Sequence, residues 1–228
     1  MSEYGIKYCE MFHSIQGEGR TIGKNVVFLR LSGCNLKCTY CDSKYSWSDG
    51  KFIQMSDIID YIKSTKANGL VITGGEPLLQ LEAIKCLLVD ISNEIGKDFH
   101  IEIETNGTIK IGIYDNYLFS NVYFNVSPKL KNSDCFYKLD DVRVNLIHFN
   151  NYFKNSIFKF VVSSKDDIDE INILCEGFNE NRIYLMPEGI TREVQIKNQI
   201  DVIDICKEFG YNFSPRTHIL IWDNKKGV

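Results

Sequence analysis

Short runs rich in β-branched residues recur along this chain, and most end in glycine-rich or polar punctuation. Residues 70–73 run into Gly74 and Gly75, and residues 100–104 into Thr105, Asn106 and Gly107. Residues 122–126 run into Ser127, Pro128 and Lys129, and residues 182–186 into Pro187, Glu188 and Gly189. Residues 26–31 and 159–162 complete the strand candidates. Between them lie helical patterns over 55–66 (with Ser56 as N-cap), 79–95, 166–178 and 192–209. The apolar tail, 212–222, reads as a further strand or a loop. Over 129–154 the pattern does not separate loop from short helix. Strands alternating with helices predict an α/β fold with a mostly parallel sheet. Six such strands can curl into a full or partial barrel. Ligands bind such sheets at the C-terminal strand ends, where the punctuation lies.

The chain has 228 residues, enough for one domain with a real core. Its 26 basic and 30 acidic residues give a formal charge of −4. That balance carries no electrostatic footprint for nucleic acid or for an anionic membrane. No apolar stretch approaches a membrane span, and residues 1–8 lack the apolar core of a signal peptide. The expected location is therefore cytoplasmic, where the eight cysteines would not form structural disulfides. Cys86 and Cys206 sit in apolar helical patterns and read as core thiols.

Three of the cysteines, Cys34, Cys38 and Cys41, fall within eight residues, at spacings of four and three. A loop so spaced wraps a small inorganic body. Three thiolates hold three corners of an iron–sulfur cube and leave one iron without a protein ligand, where a small molecule can chelate. The alternative is a structural zinc site, which wants four ligands. Cys9 or His13 would then have to supply the fourth.

The Cys-x-x-x-Cys-x-x-Cys run, with aromatic Tyr40 before the last cysteine, resembles the signature of the radical S-adenosylmethionine superfamily. Gly74, Gly75, Glu76 and Pro77, after the next strand, resemble its Gly-Gly-Glu-Pro motif. Two glycines allow close backbone approach to a ligand, and Glu76 offers a carboxylate to an ammonium group. The resemblance implies a partial or modified (β/α)6 TIM-like barrel in a single domain over 1–228. It also implies a 4Fe–4S cluster on Cys34, Cys38 and Cys41, and S-adenosylmethionine as cofactor.

The segment Phe12, His13, Ser14, Ile15, Gln16, Gly17, Glu18 and Gly19, followed by Gly23, Phe28 and Arg30, narrows the branch. It resembles the 7-carboxy-7-deazaguanine synthase family, which serves queuosine and other deazapurine synthesis. Further matches are Cys41 to Ser43, Glu104 to Gly107, Ser127 to Lys129, and Thr217 with His218. The family converts 6-carboxy-5,6,7,8-tetrahydropterin to 7-carboxy-7-deazaguanine with loss of ammonia. The resemblance implies cleavage of S-adenosylmethionine to a 5′-deoxyadenosyl radical, hydrogen abstraction at the substrate's C6, and ring contraction. The cofactor carries the hard chemistry while the protein orients and insulates it.

Carried over residue by residue, the resemblance puts the substrate against Ile15, Gln16, Gly17, Glu18, Arg30, Thr73, His218 and the carboxylate of Val228. A planar guanidinium at Arg30 suits a carboxylate because it binds both oxygens at once. S-adenosylmethionine falls to Tyr40, Cys41, Asp42, Gly75 and Glu76, to Ser127, Pro128 and Lys129, and to Met186, Pro187, Glu188 and Gly189. Magnesium falls to Ser43, where most of the family has threonine; the hydroxyl, the oxygen ligand a hard cation wants, is retained. The resemblance further implies a homodimer and a flavodoxin or ferredoxin as electron donor. Two other readings stand beside it. A glycyl-radical activase would share the cysteines and the glycine turn but lack the Gln16 to Gly19 segment. A non-enzymatic zinc module would be colourless and free of iron.

Overall fold

The computed structural model describes residues 5–135 and 139–228. In chain order its elements are β1 (Gly5–Ile15), β2 (Asn25–Leu31), β3 (Lys51–Gln54), α1 (Met55–Ser64), β4 (Gly69–Gly74) and α2 (Leu81–Glu94). They continue with β5 (His100–Thr105), β6 (Tyr123–Val126), α3 (Leu139–Tyr152), β7 (Ile157–Val162) and α4 (Asp167–Leu174). The chain closes with β8 (Ile183–Pro187), α5 (Arg192–Phe209), β9 (Asn212–Phe213) and α6 (Thr217–Trp222). All nine strands lie in one sheet, ordered β3-β1-β2-β4-β5-β6-β7-β8-β9. From β2 onward neighbours pair parallel, while β1 is antiparallel to both β2 and β3. The result is a partial barrel of six parallel strands, β2 and β4 to β8, with edge strands at either end.

The six expected strands are all present, because each apolar run alternates two faces. Val27, Leu29 and Leu31 of β2 join Ile101 and Ile103 of β5, and Phe158, Phe160 and Val162 of β7, in the core under the helices. The intervening residues face inward: Phe28, Arg30, Thr73, Glu104, Lys159, Val161 and Met186 all line one cavity. Each fully buried Ile, Leu or Phe of the outer layer contributes roughly 1.5–3 kcal/mol. That layer supplies the folding energy and lets the inner face be polar.

Several elements differ from the sequence reading. β1 is half-buried along most of its length, and Lys7, Glu10 and His13 interrupt its apolar residues, so no apolar run marks it; its pairing with β2 supplies the order. Residues 139–152, within the stretch where the sequence pattern does not separate loop from helix, form α3, whose Val142, Leu146 and Phe149 are buried at helical spacing, with the Phe149 ring centroid 5.2 Å from that of Phe124 of β6. The tail becomes the two-residue β9 and the short helix α6. Ser56 is not a cap, since α1 already begins at Met55 with Gln54 as its N-cap residue. The connection from β5 to β6 carries only a 3-10 turn, Ile113–Asp115, in place of an α-helix.

Candidate active site

The cavity, about 280 Å³, opens at the C-terminal ends of the parallel strands. The loop after β2 places Cys34, Cys38 and Cys41 on its wall, together with Tyr40, Asp42 and Ser43. Gly33 N donates to Ser46 O at 2.8 Å, and Cys41 N to Cys38 O at 3.3 Å, so the loop folds back on itself. The glycine turn after β4 presses onto it: Glu76 N donates to Gly33 O at 2.8 Å. A Cβ on Gly75 would stand 2.2 Å from that oxygen and 2.7 Å from Cys34 Cβ, so only glycine fits.

Cys34, Cys38 and Cys41 are free thiols. Burial raises Cys34 and pushes Cys38 up to about 12, so metal must displace protons to bind there. Among the described residues no three His, Cys, Asp or Glu side chains converge on a point that would hold a single ion. The other candidates for a fourth zinc ligand are committed elsewhere. Cys9 Sγ donates to Asp49 O at 2.8 Å, His13 Nε2 lies 2.5 Å from Asn25 Oδ1, and neither lines the cavity.

Most of the residues singled out in the sequence converge here. Ile15, Gln16, Gly17, Glu18, Arg30, Thr73, His218 and Val228 line the cavity, as do Gly75, Ser127, Lys129, Met186, Glu188 and Gly189. Three do not. Glu76 is wholly buried, and its carboxylate accepts from Leu78 N at 2.9 Å, Thr105 Oγ1 at 2.8 Å and Asn106 N at 2.7 Å. It ties the β4 turn to the β5 turn, so the expected ammonium contact is replaced by protein donors. Pro128 and Pro187 fall off the lining because alternate residues of an extended segment face opposite ways.

Arg30 Nε donates to Glu10 Oε1 at 2.7 Å, and Tyr45 Oη donates to the same oxygen at 2.7 Å. The pair fixes one edge of the guanidinium beside the cavity. Gly17 meets the C-terminal segment, where Thr217 N donates to Gly17 O at 3.0 Å and a Cβ on Gly17 would stand 2.7 Å from His218 Nδ1. With Gly19 N donating to Ser214 Oγ at 2.8 Å, this contact closes the side of the open barrel. Ser43 Oγ is 3.8 Å from Cys41 Sγ.

The cavity wall carries a charge network that the sequence reading missed. Lys159, only 2% exposed, donates to Glu18 Oε2 at 2.5 Å and to Glu104 Oε2 at 2.9 Å. Arg216 donates to Glu18 Oε1 at 3.0 Å, to Gly189 O at 2.7 Å and to Asp42. Asn125 Nδ2 bridges Glu102 Oε1 at 2.6 Å and Glu104 Oε1 at 2.8 Å, and Gln16 Nε2 reaches both glutamates too. Burial opposes ionisation of Glu18, but Lys159 and Arg216 outweigh it and hold its carboxyl well below the usual range. At Glu104 burial wins against the pull of Lys159, with Glu102 and Glu18 adding to it, and the carboxyl is raised. Burial likewise lowers His218, against the pull of Glu18. A signal was available: Lys159 between Phe158 and Phe160, and Glu102 and Glu104 flanking Ile103, put charge at alternate positions of apolar strands.

Comparison with known proteins gives the class first. The Radical SAM superfamily profile matches residues 29–129, which span the cysteine loop, the glycine turn and the segment through Lys129. The protein is a radical S-adenosylmethionine enzyme, a class that holds a 4Fe–4S cluster and S-adenosylmethionine at such a loop. Streptococcus suis SuiB shares this fold at a TM-score of 0.58 and 17% identity. Likeness then runs along the whole chain. The 7-carboxy-7-deazaguanine synthase of Pyrobaculum aerophilum is 31% identical over 97% of both chains. That of Clostridium acetobutylicum is 33% identical over 97% of this chain and 99% of its own. The crystal structure of QueE from Escherichia coli superposes with a TM-score of 0.67 at 26% identity, covering 94% of this chain and 95% of that one. The chain belongs to the 7-carboxy-7-deazaguanine synthase family, and neither a glycyl-radical activase nor a zinc module describes it.

Proposed function

We propose that this chain, acting as one domain, converts 6-carboxy-5,6,7,8-tetrahydropterin to 7-carboxy-7-deazaguanine with loss of ammonia. The observation that carries the reading is that one cavity joins the three cluster thiols to a guanidinium and a buried carboxylate network. The cluster and S-adenosylmethionine, when bound, supply the radical that takes hydrogen from the substrate. The protein's part is to bind, orient and exclude water. Cys34, Cys38 and Cys41 anchor three irons. Tyr40, Asp42, Gly75, Ser127, Lys129, Met186, Glu188 and Gly189 border S-adenosylmethionine.

Arg30, with Nε held by Glu10, turns its remaining donors to the substrate carboxylate. Ile15, Gln16, Gly17, Thr73, His218 and Val228 line the pterin. Glu18 stays anionic between Lys159 and Arg216 and accepts from the substrate's ring N–H groups. Ser43 supplies an oxygen to magnesium, a hard cation that takes oxygen ligands. A homodimer, a flavodoxin or ferredoxin as donor, and a cytoplasmic location complete the reading; no helix among the described residues is long and apolar enough to cross a membrane. Anaerobic incubation of the reconstituted protein with the carboxytetrahydropterin, S-adenosylmethionine and dithionite tests it. Mass detection of 7-carboxy-7-deazaguanine is expected, and S-adenosylmethionine cleavage without that product would overturn the substrate assignment.

A further inference from the structure

The Cys38 sulfur does not face the cavity alone. Cys135, far along the chain, brings its Sγ to 3.4 Å from Cys38 Sγ. Two further bonds hold the segments together independently of the sulfurs: Thr39 N donates to Ser133 O at 3.1 Å, and Thr39 Oγ1 donates to the same oxygen at 3.3 Å. Cys135 N in turn donates to Ser133 Oγ at 3.2 Å. Cys135 is therefore a second thiol built against a cluster ligand, and it is half-buried. A disulfide bond is about 2 Å long, so joining the pair needs a shift on the order of 1.4 Å, within reach of side-chain rotation.

We propose that Cys38 and Cys135 form a reversible disulfide in the cluster-free protein, a redox latch on cluster loading. The oxidant is a low-molecular-weight disulfide such as oxidised glutathione. The Cys135 thiolate attacks one glutathione sulfur and expels the first glutathione thiolate, giving a mixed disulfide. Cys38 Sγ, giving up its proton as it reacts, then attacks Cys135 Sγ and expels the second. Two protein thiols are oxidised, one glutathione disulfide is reduced to two glutathiones, and the two thiol protons pass to the departing thiolates. The bond takes one of three anchors from the cluster, leaving Cys34 and Cys41, which cannot hold it. A small thiol reductant reverses the exchange. Disulfides in reducing compartments are typically transient ones of this kind. The crosslink itself is independent of the proposed function; its effect on iron loading rests on Cys38 being a cluster ligand.

The test uses the full chain, stripped of metal under anaerobic conditions and treated with oxidised glutathione. Remaining thiols are alkylated and peptides mapped without reduction. A peptide pair joining Cys38 to Cys135 is expected, two hydrogens lighter than its separate parts, and it should vanish with dithiothreitol or with prior cluster loading. Oxidised wild type should take up iron only after reduction, whereas Cys135→Ser should take it up after the same treatment. Cys38 found free, or joined to Cys34 or Cys41, would overturn the proposal. So would Cys135→Ser or Cys135→Ala failing to bind iron when fully reduced, since Cys135 would then be a ligand. If reduced wild type binds no iron while the crosslink maps as expected, the cluster reading fails and the disulfide stands.

Discussion

Lys159 Nζ lies 2.9 Å from Glu104 Oε2 on the inner face of a parallel sheet, from neighbouring positions in space but 55 residues apart in sequence. Lys159 is buried and Glu104 half-buried, and Lys159 also serves Glu18. Lys159→Met leaves Glu104 without its cation and Glu18 with Arg216 alone, which costs about 3–5 kcal/mol. Urea unfolding of the cluster-free protein measures it, and adding Glu104→Gln should recover part of the loss. A single-mutant cost below about 1 kcal/mol, the scale of an exposed pair, would show that the network is solvated.

The same network sets the acid response. Glu18 is held below its ordinary value of 4.5 in the folded chain, so on acidification the unfolded chain takes up this proton first. Its contribution to stability is present above about pH 4.5 and fades as pH falls toward the folded value. Wild type should exceed Glu18→Gln in stability most at neutral pH, with the gap closing in acid. A gap that widens on acidification reverses the sign and removes Glu18 from the ion-paired state.

Arg30→Lys keeps the charge and loses the fork. Losing a charge-assisted hydrogen bond costs about 1.5–3 kcal/mol. The Kd for the carboxytetrahydropterin should rise roughly 10- to 100-fold on that basis, with S-adenosylmethionine binding unchanged. Glu10→Gln should shift the same constant in the same direction by less, because it orients Arg30 rather than touching substrate. Equal losses in both ligands' affinities would place Arg30 in general folding.

Gly75→Ala puts a methyl 2.2 Å from the Gly33 carbonyl oxygen, which is backbone and cannot step aside cheaply. Iron and sulfide per chain after reconstitution should fall sharply while the circular dichroism spectrum of the fold persists. Full iron content in this variant would mean that the cysteine loop tolerates displacement.

Ser43→Ala should remove the dependence of turnover on magnesium that Ser43→Thr preserves, since only the hydroxyl oxygen is at issue. Activity of Ser43→Ala unchanged across a magnesium titration would refute a direct role for this side chain.

The parts of the fold legible in the sequence were those whose periodicity is local. β2, β4, β5 and β7 announce themselves as apolar runs, and α5 as a long helical pattern, which the structure caps with Thr191 and Gly210. β1 escaped because its residues are mostly half-buried, so its order comes from partners on β2 and β3 rather than from its own alternation. α3 carried a helical stripe at Val142, Leu146 and Phe149, but the positions between mix polar Arg143, Asn145 and His148 with apolar Val144 and Ile147, and the pattern blurs.

The cysteine spacing, the glycine turn and the residue types along them were set by sequence alone, because each depends only on neighbours within one loop. Which side chains share a cavity was decided by the curl of the sheet. That curl brings Arg30, Lys159, Glu104 and Arg216 to one interior, withdraws Glu76 into a backbone cap, and sets Cys135 against Cys38. Charges buried far apart in sequence acquire their state only from the neighbours that tertiary packing gives them, since in a low-dielectric interior the nearest partner dominates.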